Sequence, residues 1–531
     1  MLLKSIPFKE TNYFSDLICD YLDNVVKLQP FFNRYPSLEN FKEQIAEKQA
    51  SFPQQHRETL HKVLTAQCAS FSISEATENN IKLLLRENTF TVTTGHQLNL
   101  FTGPLYFLYK IISVINLAEQ LQEEYPEYHF VPVYWMATED HDFEEINYFN
   151  FKGKKVRWNR EAGGPVGRFD TKGLDEVLAI LKNEFGTSNN ATRLLNLFEK
   201  AYLEQDTLAN ATLFLANELF SKYGLVIVDG DYKELKRLFI SQVKNELAKQ
   251  NSYIQTVYQS QKLEDLGYKK QVNPREINLF YIKNGLRERI IKEEDRFYVN
   301  ETEISWTQEE LYNELETAPE KFSPNVIMRP LYQEVILPNL CYIGGGGELA
   351  YWFELKSYFE SEKIPFPILL LRNSVLILSE KQKQKLAKLE VSTKDLFLKQ
   401  HELINRMVRK ISNIDIDFNP QKQHLQHQFK ELYELAEQTD TSFVNAVKAQ
   451  EIKQLKGLDK LEERLLKAQK RKLKDQVTRL TTLQNELFPN QNLQERIVNF
   501  SELYLEYGED LVKTLKNNLA PLTLEFTILK M

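Results

Sequence analysis

The chain has 531 residues, of which 42% are hydrophobic and 27% are charged, and its formal net charge is −7. This length suits about three domains with a large core, while the negative charge disfavours a nucleic-acid partner, since such proteins carry a basic excess that neutralises phosphates. Three scattered cysteines without a C-x-x-C pair argue against a disulfide framework, and no apolar run reaches 18 residues, so we expect a cytoplasmic protein with neither signal peptide nor membrane span.

The first recognisable unit is a strand, a glycine-bearing turn and a long helix. Residues 1 to about 85 have a helical pattern, apolar and polar residues alternate over 90–94, and a helix is predicted over 105–121. A helix N-terminus offers unpaired N–H groups and the positive end of a dipole, which favours a bound phosphate or carboxylate. An ordinary structural turn is the alternative. The candidate anion-binding residues are Thr93, Gly95, His96, Asn99, Thr102 and Gly103.

A charged cluster follows the next predicted strand, which covers 131–136. This cluster contains Asp140, His141 and Asp142. Strand, turn, helix, strand is the sequence form of a βαβ unit, and ligands bind where parallel strands end. Capping of a following helix at 143–146 explains one carboxylate but not the adjacent histidine.

The remaining chain alternates between sheet segments and insertions. A polar segment with hairpin-like pieces follows the cluster, residues 225–229 predict a third parallel strand, and a small mixed lobe comes after it. The predicted segments are 1–150, first part of the sheet core; 151–222, first insertion; 223–252, core strand and helix; 253–322, second insertion; 323–378, last part of the core; 379–488, coiled coil; and 489–531, return to the core.

Four consecutive glycines, 344–347, precede another predicted helix. Such an open backbone lets N–H groups surround an anion, which makes Gly345, Gly346 and Glu348 candidate site residues. Arg372 follows a further apolar strand at 365–371 and could reach a phosphate. A tight structural turn and an ordinary surface salt bridge are the respective alternatives.

Residues 379–488 have a coiled-coil pattern, with leucines recurring at threes and fours. A break at 413–420 predicts two helices, which we expect to form an antiparallel hairpin that projects from the sheet domain. Its apolar seam predicts a homodimer.

Four segments together resemble the BshC family, the cysteine ligases of bacillithiol biosynthesis. They are TTGHQLNLFTGPLYFLYK, PVYWMATEDHDFEEIN, FSPNVIMRPLYQEVILPNLCYIGGGGELAYW and LQERIVNFSELYLEYGEDLV. The resemblance covers nearly the whole chain. It implies an α/β fold with a Rossmann-like parallel sheet similar to class I aminoacyl-tRNA synthetases, two inserted connecting-peptide lobes and a coiled coil that forms a homodimer. It also implies that L-cysteine is joined to glucosaminyl malate.

The resemblance extends to the nucleotide site. Residues 93–96 look like the T/H-x-G-H signature of adenylate-forming class I enzymes, which implies that ATP, with Mg²⁺ as its counter-ion, is bound at this turn. The lysine-rich KMSKS loop of those enzymes is not recognisable after the last strand, where Arg372 stands.

Our hypothesis from the sequence is that the carboxylate of cysteine is activated at this turn and attacked by the glucosamine amine. His96, backbone N–H groups and Arg372 would stabilise the phosphates. The cluster 140–142 would orient the ammonium group, accept the amine's proton or bind a metal, and Glu348 would contact an amine or a sugar hydroxyl.

Other classes of function stay open at this stage. The side chains of His96, Asp140, His141 and Asp142 could form the metal centre of a hydrolase, although they lack a spacing such as H-E-x-x-H. A zinc ion could hold the cysteine thiolate through Cys341 and His141. The chain could also be a non-catalytic nucleotide-binding scaffold.

Overall fold

Fifteen strands in four sheets frame the computed structural model, which describes residues 2–161, 163–283 and 285–531. The strands are β1 (Leu2–Pro7), β2 (Thr89–His96), β3 (His129–Met136), β4 (Tyr148–Phe151), β5 (Lys154–Arg157), β6 (Val226–Asp229), β7 (Leu279–Lys283), β8 (Leu286–Glu293), β9 (Arg296–Val299), β10 (Ser305–Trp306), β11 (Phe322–Pro324), β12 (Asn339–Gly344), β13 (Ile368–Leu371), β14 (Val375–Leu378) and β15 (Glu525–Lys530).

Helices cover the faces of these sheets and build the last third of the chain. They are α1 (Phe8–Thr11), α2 (Asp16–Leu22), α3 (Leu38–Ser51), α4 (Gln54–Cys68), α5 (Glu75–Leu83), α6 (Tyr106–Glu124), α7 (Phe143–Ile146), α8 (Leu174–Phe185), α9 (Asn189–Tyr202), α10 (Leu208–Phe220), α11 (Lys233–Arg237), α12 (Ile240–Lys249), α13 (Asn251–Asp265), α14 (Gln308–Thr317), α15 (Arg329–Ile336), α16 (Gly346–Trp352), α17 (Lys356–Glu362), α18 (Glu380–Lys388), α19 (Gln400–Ile411), α20 (Asn419–Ala436), α21 (Thr441–Lys472), α22 (Lys474–Leu487), α23 (Gln494–Ile497), α24 (Phe500–Tyr507) and α25 (Asp510–Asn518). Among the described residues, no helix combines the length and the apolarity needed to cross a bilayer.

The central sheet has five parallel strands in the order β13-β12-β2-β3-β6. If these five strands are numbered along the chain and read from the β6 edge, the order is 3-2-1-4-5, which is that of a doubly wound Rossmann fold. The predicted fold class is therefore confirmed. The order reverses between β2 and β12. In such sheets the crevice outside the strand ends at this switch point is where ligands bind.

The turn after β2 has an unusual backbone that the C-terminal segment holds in place. Phe101 and Thr102 have positive φ angles of 49° and 67°, and Gly103 has φ 64°. A Cβ on Gly103 would lie 2.7 Å from Asn99 Cβ, so glycine is required there. The Asn499 amide donates to the carbonyl oxygens of Phe101 and Gly103 at 2.8 and 2.6 Å. The helix predicted after the turn begins at Tyr106.

Two insertions extend from the core. The first contains the hairpin β4–β5 and helices α8 to α10. The second contains an antiparallel sheet with the order β10-β9-β8-β7-β11, whose edge strand β11 ends two residues beyond 322, the predicted last residue of this insertion.

The helical segment differs in detail from the two-helix prediction. The break at 413–420 exists, between α19 and α20, but the chain reverses again at 437–440, between α20 and α21. Side-chain contacts of Tyr433 with Glu451 and of Lys422 with Glu462 align α20 antiparallel to α21. The hairpin therefore has its tip about 20 residues later than predicted, because the turn at 437–440 contains neither proline nor glycine to mark it in the sequence.

Both chain ends meet in a third sheet, β1-β15-β14. Residues 2–7 form strand β1, whereas the sequence pattern predicted helix throughout 1–85. β1 pairs antiparallel with β15, and β15 pairs parallel with β14, so the C-terminal segment packs on the core.

Candidate active site

A cavity of about 660 Å³ lies at the carboxyl ends of β2, β3, β6 and β12, where the fold predicts a ligand site. Five cations and three carboxylates line it, so it carries a net positive charge although the whole chain is acidic. Those charged residues are Lys110, Arg275, Arg287, Arg289, Arg329, Glu139, Asp140 and Glu348. Of the residues predicted from sequence, it brings together Gly95, His96, Asp140, His141 and Glu348.

Lys110, on the first turn and a half of α6, reaches under the end of β2 at the switch point. Its Nζ donates to the Gly95 carbonyl oxygen at 2.6 Å and lies 2.6 Å from Glu348 Oε1. Gly95 must be small here, because a Cβ would come within 3.1 Å of the Tyr342 hydroxyl. Burial lowers the pKa of Lys110, and the Glu348 carboxylate opposes that shift. Lys110 is therefore a buried cation that is held by Gly95 and Glu348 and lines the cavity.

Glu348 is the anchor of this arrangement. Besides Lys110, its carboxylate accepts hydrogen bonds from the Tyr342 hydroxyl at 2.8 Å and from the Gly345 amide at 3.1 Å. Burial acts to raise the pKa of Glu348, but Lys110 and these donors outweigh it and hold the pKa below its usual value. Glu348 is thus an ionised group that positions Lys110 and closes the glycine turn.

His96 lines the cavity as a neutral ring. Burial and the nearby Lys110 charge lower its pKa from 6.5 to about 3. Tyr106 and Phe107 pack against the imidazole, with ring centroids 5.5 and 5.1 Å away. At neutral pH His96 can exchange hydrogen bonds with a ligand but brings no positive charge to it.

The lowered pKa of His96 predicts a loss of stability in acid. The unfolded chain takes up a proton near pH 6.5 and the folded chain only near pH 3, so this contribution is complete above pH 6.5 and declines as the pH falls. Between pH 7 and pH 5 we expect the free energy of unfolding of the wild type to fall by about 2 kcal/mol more than that of His96→Gln. Urea unfolding at both pH values measures this difference, and parallel curves for the two proteins would contradict it.

The cluster after β3 is held by its own backbone and by neighbouring side chains. Asp140 Oδ2 accepts from the Gln97 amide at 2.8 Å, and Oδ1 accepts from the His141 amide N–H at 2.7 Å. His141 Nδ1 lies 2.7 Å from Arg287 Nη1; a guanidinium only donates, so Nδ1 accepts and Nε2 carries the proton. Asp142 is exposed and is not among the cavity-lining residues.

Arginines from other elements complete the cavity wall, and the sequence analysis missed them. Arg287 and Arg289 stand on β8 of the second insertion, Arg275 precedes β7, and Arg329 begins α15. Within the part of the chain that the structure describes, none of the four forms an ion pair with a carboxylate. The only advance signal was the two-residue spacing of Arg287 and Arg289, since residues two apart on a strand share a face.

The other predicted residues lie outside this cavity. Thr93 donates from its hydroxyl to Asn339 inside the sheet at 2.8 Å. Asn99 and Thr102 line a second, much smaller cavity of about 10 Å³ behind His96. Neither Gly103, Gly345 nor Gly346 lines either space.

Arg372 is engaged in a buried ion pair. Its Nη2 lies 2.8 Å from Glu495 Oε1, and both side chains are almost fully buried, with 4% and 0% exposed. The same carboxylate accepts from the Val375 amide at 3.0 Å. This pair ties the end of β13 to the C-terminal segment; it is a salt bridge, but a buried one and not the surface pair of the alternative interpretation.

Replacement of Arg372 by methionine should therefore act on stability. Removing one partner leaves the Glu495 charge buried without compensation, which typically costs about 3–5 kcal/mol of unfolding free energy. Arg193→Met is the matched control, because the Arg193–Glu509 pair is 58% and 66% exposed, and such exposed pairs contribute at most about 1 kcal/mol. Denaturant unfolding distinguishes the two, and an equally small loss in both variants would refute a structural role.

The donor sets proposed for metals receive no support. Among the described residues, no group of three or more His, Cys, Asp or Glu side chains is placed to hold a metal ion. His141 Nδ1 faces the Arg287 guanidinium. Cys341 is buried in the centre of the sheet, and burial raises its thiol pKa well above the usual value, which disfavours a thiolate ligand.

The sheet order defines a Rossmann-like protein, and its switch point holds a crevice with an excess of positive charge. Family models then match almost the whole chain. Residues 1–373 match "Bacillithiol biosynthesis BshC, N-terminal Rossmann-like domain", and residues 375–531 match the corresponding C-terminal coiled-coil domain. The chain therefore belongs to the BshC family.

Curated relatives agree with this assignment. Proteins named "Putative cysteine ligase BshC" from Christiangramia forsetii and Flavobacterium johnsoniae are both 60% identical; the first match covers 99% of this chain and 98% of the relative, the second 99% of each. One from Cytophaga hutchinsonii is 37% identical over 93% and 92%. The chain is accordingly an enzyme of the ligase class.

A solved structure described as a putative arginyl-tRNA synthetase from Campylobacter jejuni aligns over 87% of this chain and 98% of that one. The TM-score is 0.21 and the identity is 11%, so we infer nothing from this alignment.

Proposed function

We propose that this enzyme forms the amide bond between L-cysteine and glucosaminyl malate, with ATP as the source of activation, in the last step of bacillithiol biosynthesis. The observation that carries the proposal is the positively charged cavity at the switch point, with Lys110 caged at its edge. The names of the relatives supply the substrate cysteine, and the family supplies the pathway.

ATP fits the core side of this cavity because its phosphates need fixed positive charge. Lys110 and Arg329 both lie close to Gly95: Lys110 Nζ donates to its carbonyl oxygen, and Arg329 Nη1 is 3.8 Å from the position that a Cβ on Gly95 would take. Arg329 Nη2 is a buried donor with no hydrogen-bond partner among the described residues. A neutral His96 adds a hydrogen-bonding group beside them. Mg²⁺ would enter with the nucleotide, since it is commonly held by substrate phosphates and one or two carboxylates.

Activation is needed because a carboxylate has no adequate leaving group. In the proposed sequence a carboxylate oxygen of cysteine attacks a phosphorus atom of ATP and displaces pyrophosphate or ADP. The glucosamine nitrogen then attacks the acyl carbon, loses a proton, and expels AMP or orthophosphate together with that oxygen. Lys110 and Arg329 stabilise the negative charge that develops on the phosphoryl oxygens.

Asp140 is the group we assign to the amine. Its carboxylate is fixed by Gln97 and by backbone N–H groups, so it is oriented before the substrate binds. An oriented carboxylate attracts the ammonium form of the amine and accepts its proton as the new bond forms.

The helical hairpin supports the proposed homodimer. Large apolar side chains remain exposed along α20 and α21, as expected of a surface that a second copy covers. They are Leu432, Leu435, Phe443, Ile452 and Leu461. Sedimentation at micromolar concentration should give a dimer, and a monomer would contradict this part of the proposal. We place the reaction in the cytoplasm, where the cysteine thiol stays reduced.

The function is tested by mixing the purified protein with L-cysteine, glucosaminyl malate and ATP and measuring the amide by mass spectrometry. We expect product only when all three are present, with one ATP consumed for each amide formed. Phosphorus NMR of the same samples distinguishes AMP with pyrophosphate from ADP with orthophosphate. Absence of amide from folded protein would overturn the proposal.

A further inference from the structure

The second inserted lobe presents two arginines to the cavity from one strand face. Arg287 and Arg289 are two residues apart on β8, so they share a face. In the antiparallel register Arg289 lies opposite Phe280 of β7, which also lines the cavity. The lobe therefore forms a basic wall of the cavity. Among the described residues, no acidic side chain of the lobe lines the cavity.

The guanidinium of Arg287 is positioned by contacts that leave its charge unneutralised. Its centre lies 3.9 Å from the centroid of the Phe280 ring, Nη1 reaches His141 Nδ1 at 2.7 Å, and Nη2 lies 3.5 Å from Ser323 Oγ. Its Nε is buried and, among the described residues, has no hydrogen-bond partner. Burial lowers the pKa of Arg287, whereas the charges of Glu139 and Asp140 oppose that shift.

Among the described residues, none of the cavity's carboxylates forms an ion pair with Arg287 or Arg289. Glu139 is paired with Lys236, Glu348 with Lys110, and Asp140 accepts from Gln97. A half-buried guanidinium without a carboxylate is costly unless a ligand brings the negative charge. Planar guanidinium groups bind carboxylates through two parallel hydrogen bonds, so two adjacent arginines match a molecule with two carboxylates.

We propose that Arg287 and Arg289 bind the carboxylates of the amine substrate and thereby make the enzyme selective for an amino sugar that carries a dicarboxylic acid. The inference rests on the proposed function. It assigns the acceptor to the wall of the second insertion, while the phosphates of ATP lie at the core wall near Lys110. The insertion is then a specificity lobe for the acceptor.

The test compares two acceptors that share the same amino sugar. Glucosaminyl malate carries two carboxylates, and methyl glucosaminide carries none. We expect the wild type to prefer the first by about 100-fold or more in kcat/KM, as sites built around polar partners reject analogues that lack them. In Arg287→Gln/Arg289→Gln the preference should fall below about tenfold, mainly through a higher KM for glucosaminyl malate, since uniform binding is lost.

Arg296→Gln is the matched control. It makes the same type of exchange, with loss of one positive charge, on β9 of the same lobe, where the side chain is exposed and outside the cavity. Its acceptor preference should equal that of the wild type. The KM for ATP should change by less than about twofold in all variants, because loss of a contact raises KM only for the substrate that makes it.

Two results would overturn the inference. One is an unchanged acceptor preference in the double variant; the other is a KM for ATP that rises as much as the KM for the acceptor, which would place the arginines on phosphates. Calorimetry measures the binding of glucosaminyl malate to these arginines in the absence of turnover. We expect its affinity to fall at least tenfold in the double variant. If binding weakens as expected but no protein makes amide, the proposed function fails and the binding assignment stands.

Discussion

Lys110→Met should reduce amide formation by about 100- to 1,000-fold, the usual loss when one donor that stabilises transition-state charge is removed. The ammonium group of Lys110 can donate three hydrogen bonds. Two go to the Gly95 carbonyl oxygen and to Glu348, so the third can be donated to a ligand in the cavity. Methionine keeps an unbranched side chain that is one heavy atom shorter, and it removes the charge. Steady-state kinetics with saturating substrates measure the loss.

A second variant separates this effect from damage to the fold. Lys110→Met leaves Glu348 unpaired, whereas Lys110→Met/Glu348→Gln removes both charges and should recover part of the lost stability without recovering activity. Lys516→Met is the matched control, because it breaks an ion pair with Glu119 on the same helix, α6, at a surface position. Near-normal turnover in Lys110→Met would exclude Lys110 from the chemistry.

Asp140→Asn should slow amide formation by about 100- to 10,000-fold, the range associated with loss of a general base. The amide keeps the shape of the carboxylate but neither attracts an ammonium group nor accepts its proton. Because Asp140 acts on the amine in our account, cysteine-dependent cleavage of ATP should continue in the variant. Parallel assays of phosphate release and amide formation measure the two steps.

The control for this variant is Glu144→Gln, a similar exchange four residues further along the chain. Glu144 is 73% exposed and pairs with Arg157 at the surface, so its loss should change turnover by less than about twofold. If Asp140→Asn lowered ATP cleavage and amide formation equally, Asp140 would act on activation and not on the amine.

Local patterns were sufficient for the parts of the site that lie next to their own strands. The turn after β2 and the cluster after β3 were identified because glycine and charge interrupt apolar runs, and parallel strands bring such ends together. His96, Asp140 and Glu348 do line one cavity. Their roles as partners of ATP, cysteine and the amine stay predictions.

The other residues of the site depend on long-range packing, which local sequence patterns do not predict. Lys110 is the single basic residue of α6 and looks like a solvated helix residue until the helix is placed beneath β2. Arg287 comes from an insertion whose position over the core depends on tertiary contacts. The partner of Arg372, Glu495, is 123 residues away, so the choice between a phosphate and a salt bridge needed the fold.

The transfer of a carboxylate oxygen tests the central claim most directly. L-Cysteine labelled with oxygen-18 in its carboxylate would be turned over with glucosaminyl malate and ATP, and the phosphate products examined by mass spectrometry. We predict one labelled oxygen per amide, either in AMP or in orthophosphate, because the activated carboxylate leaves that atom on phosphorus. Amide formed at the normal rate with no label in any phosphate product would contradict activation by ATP.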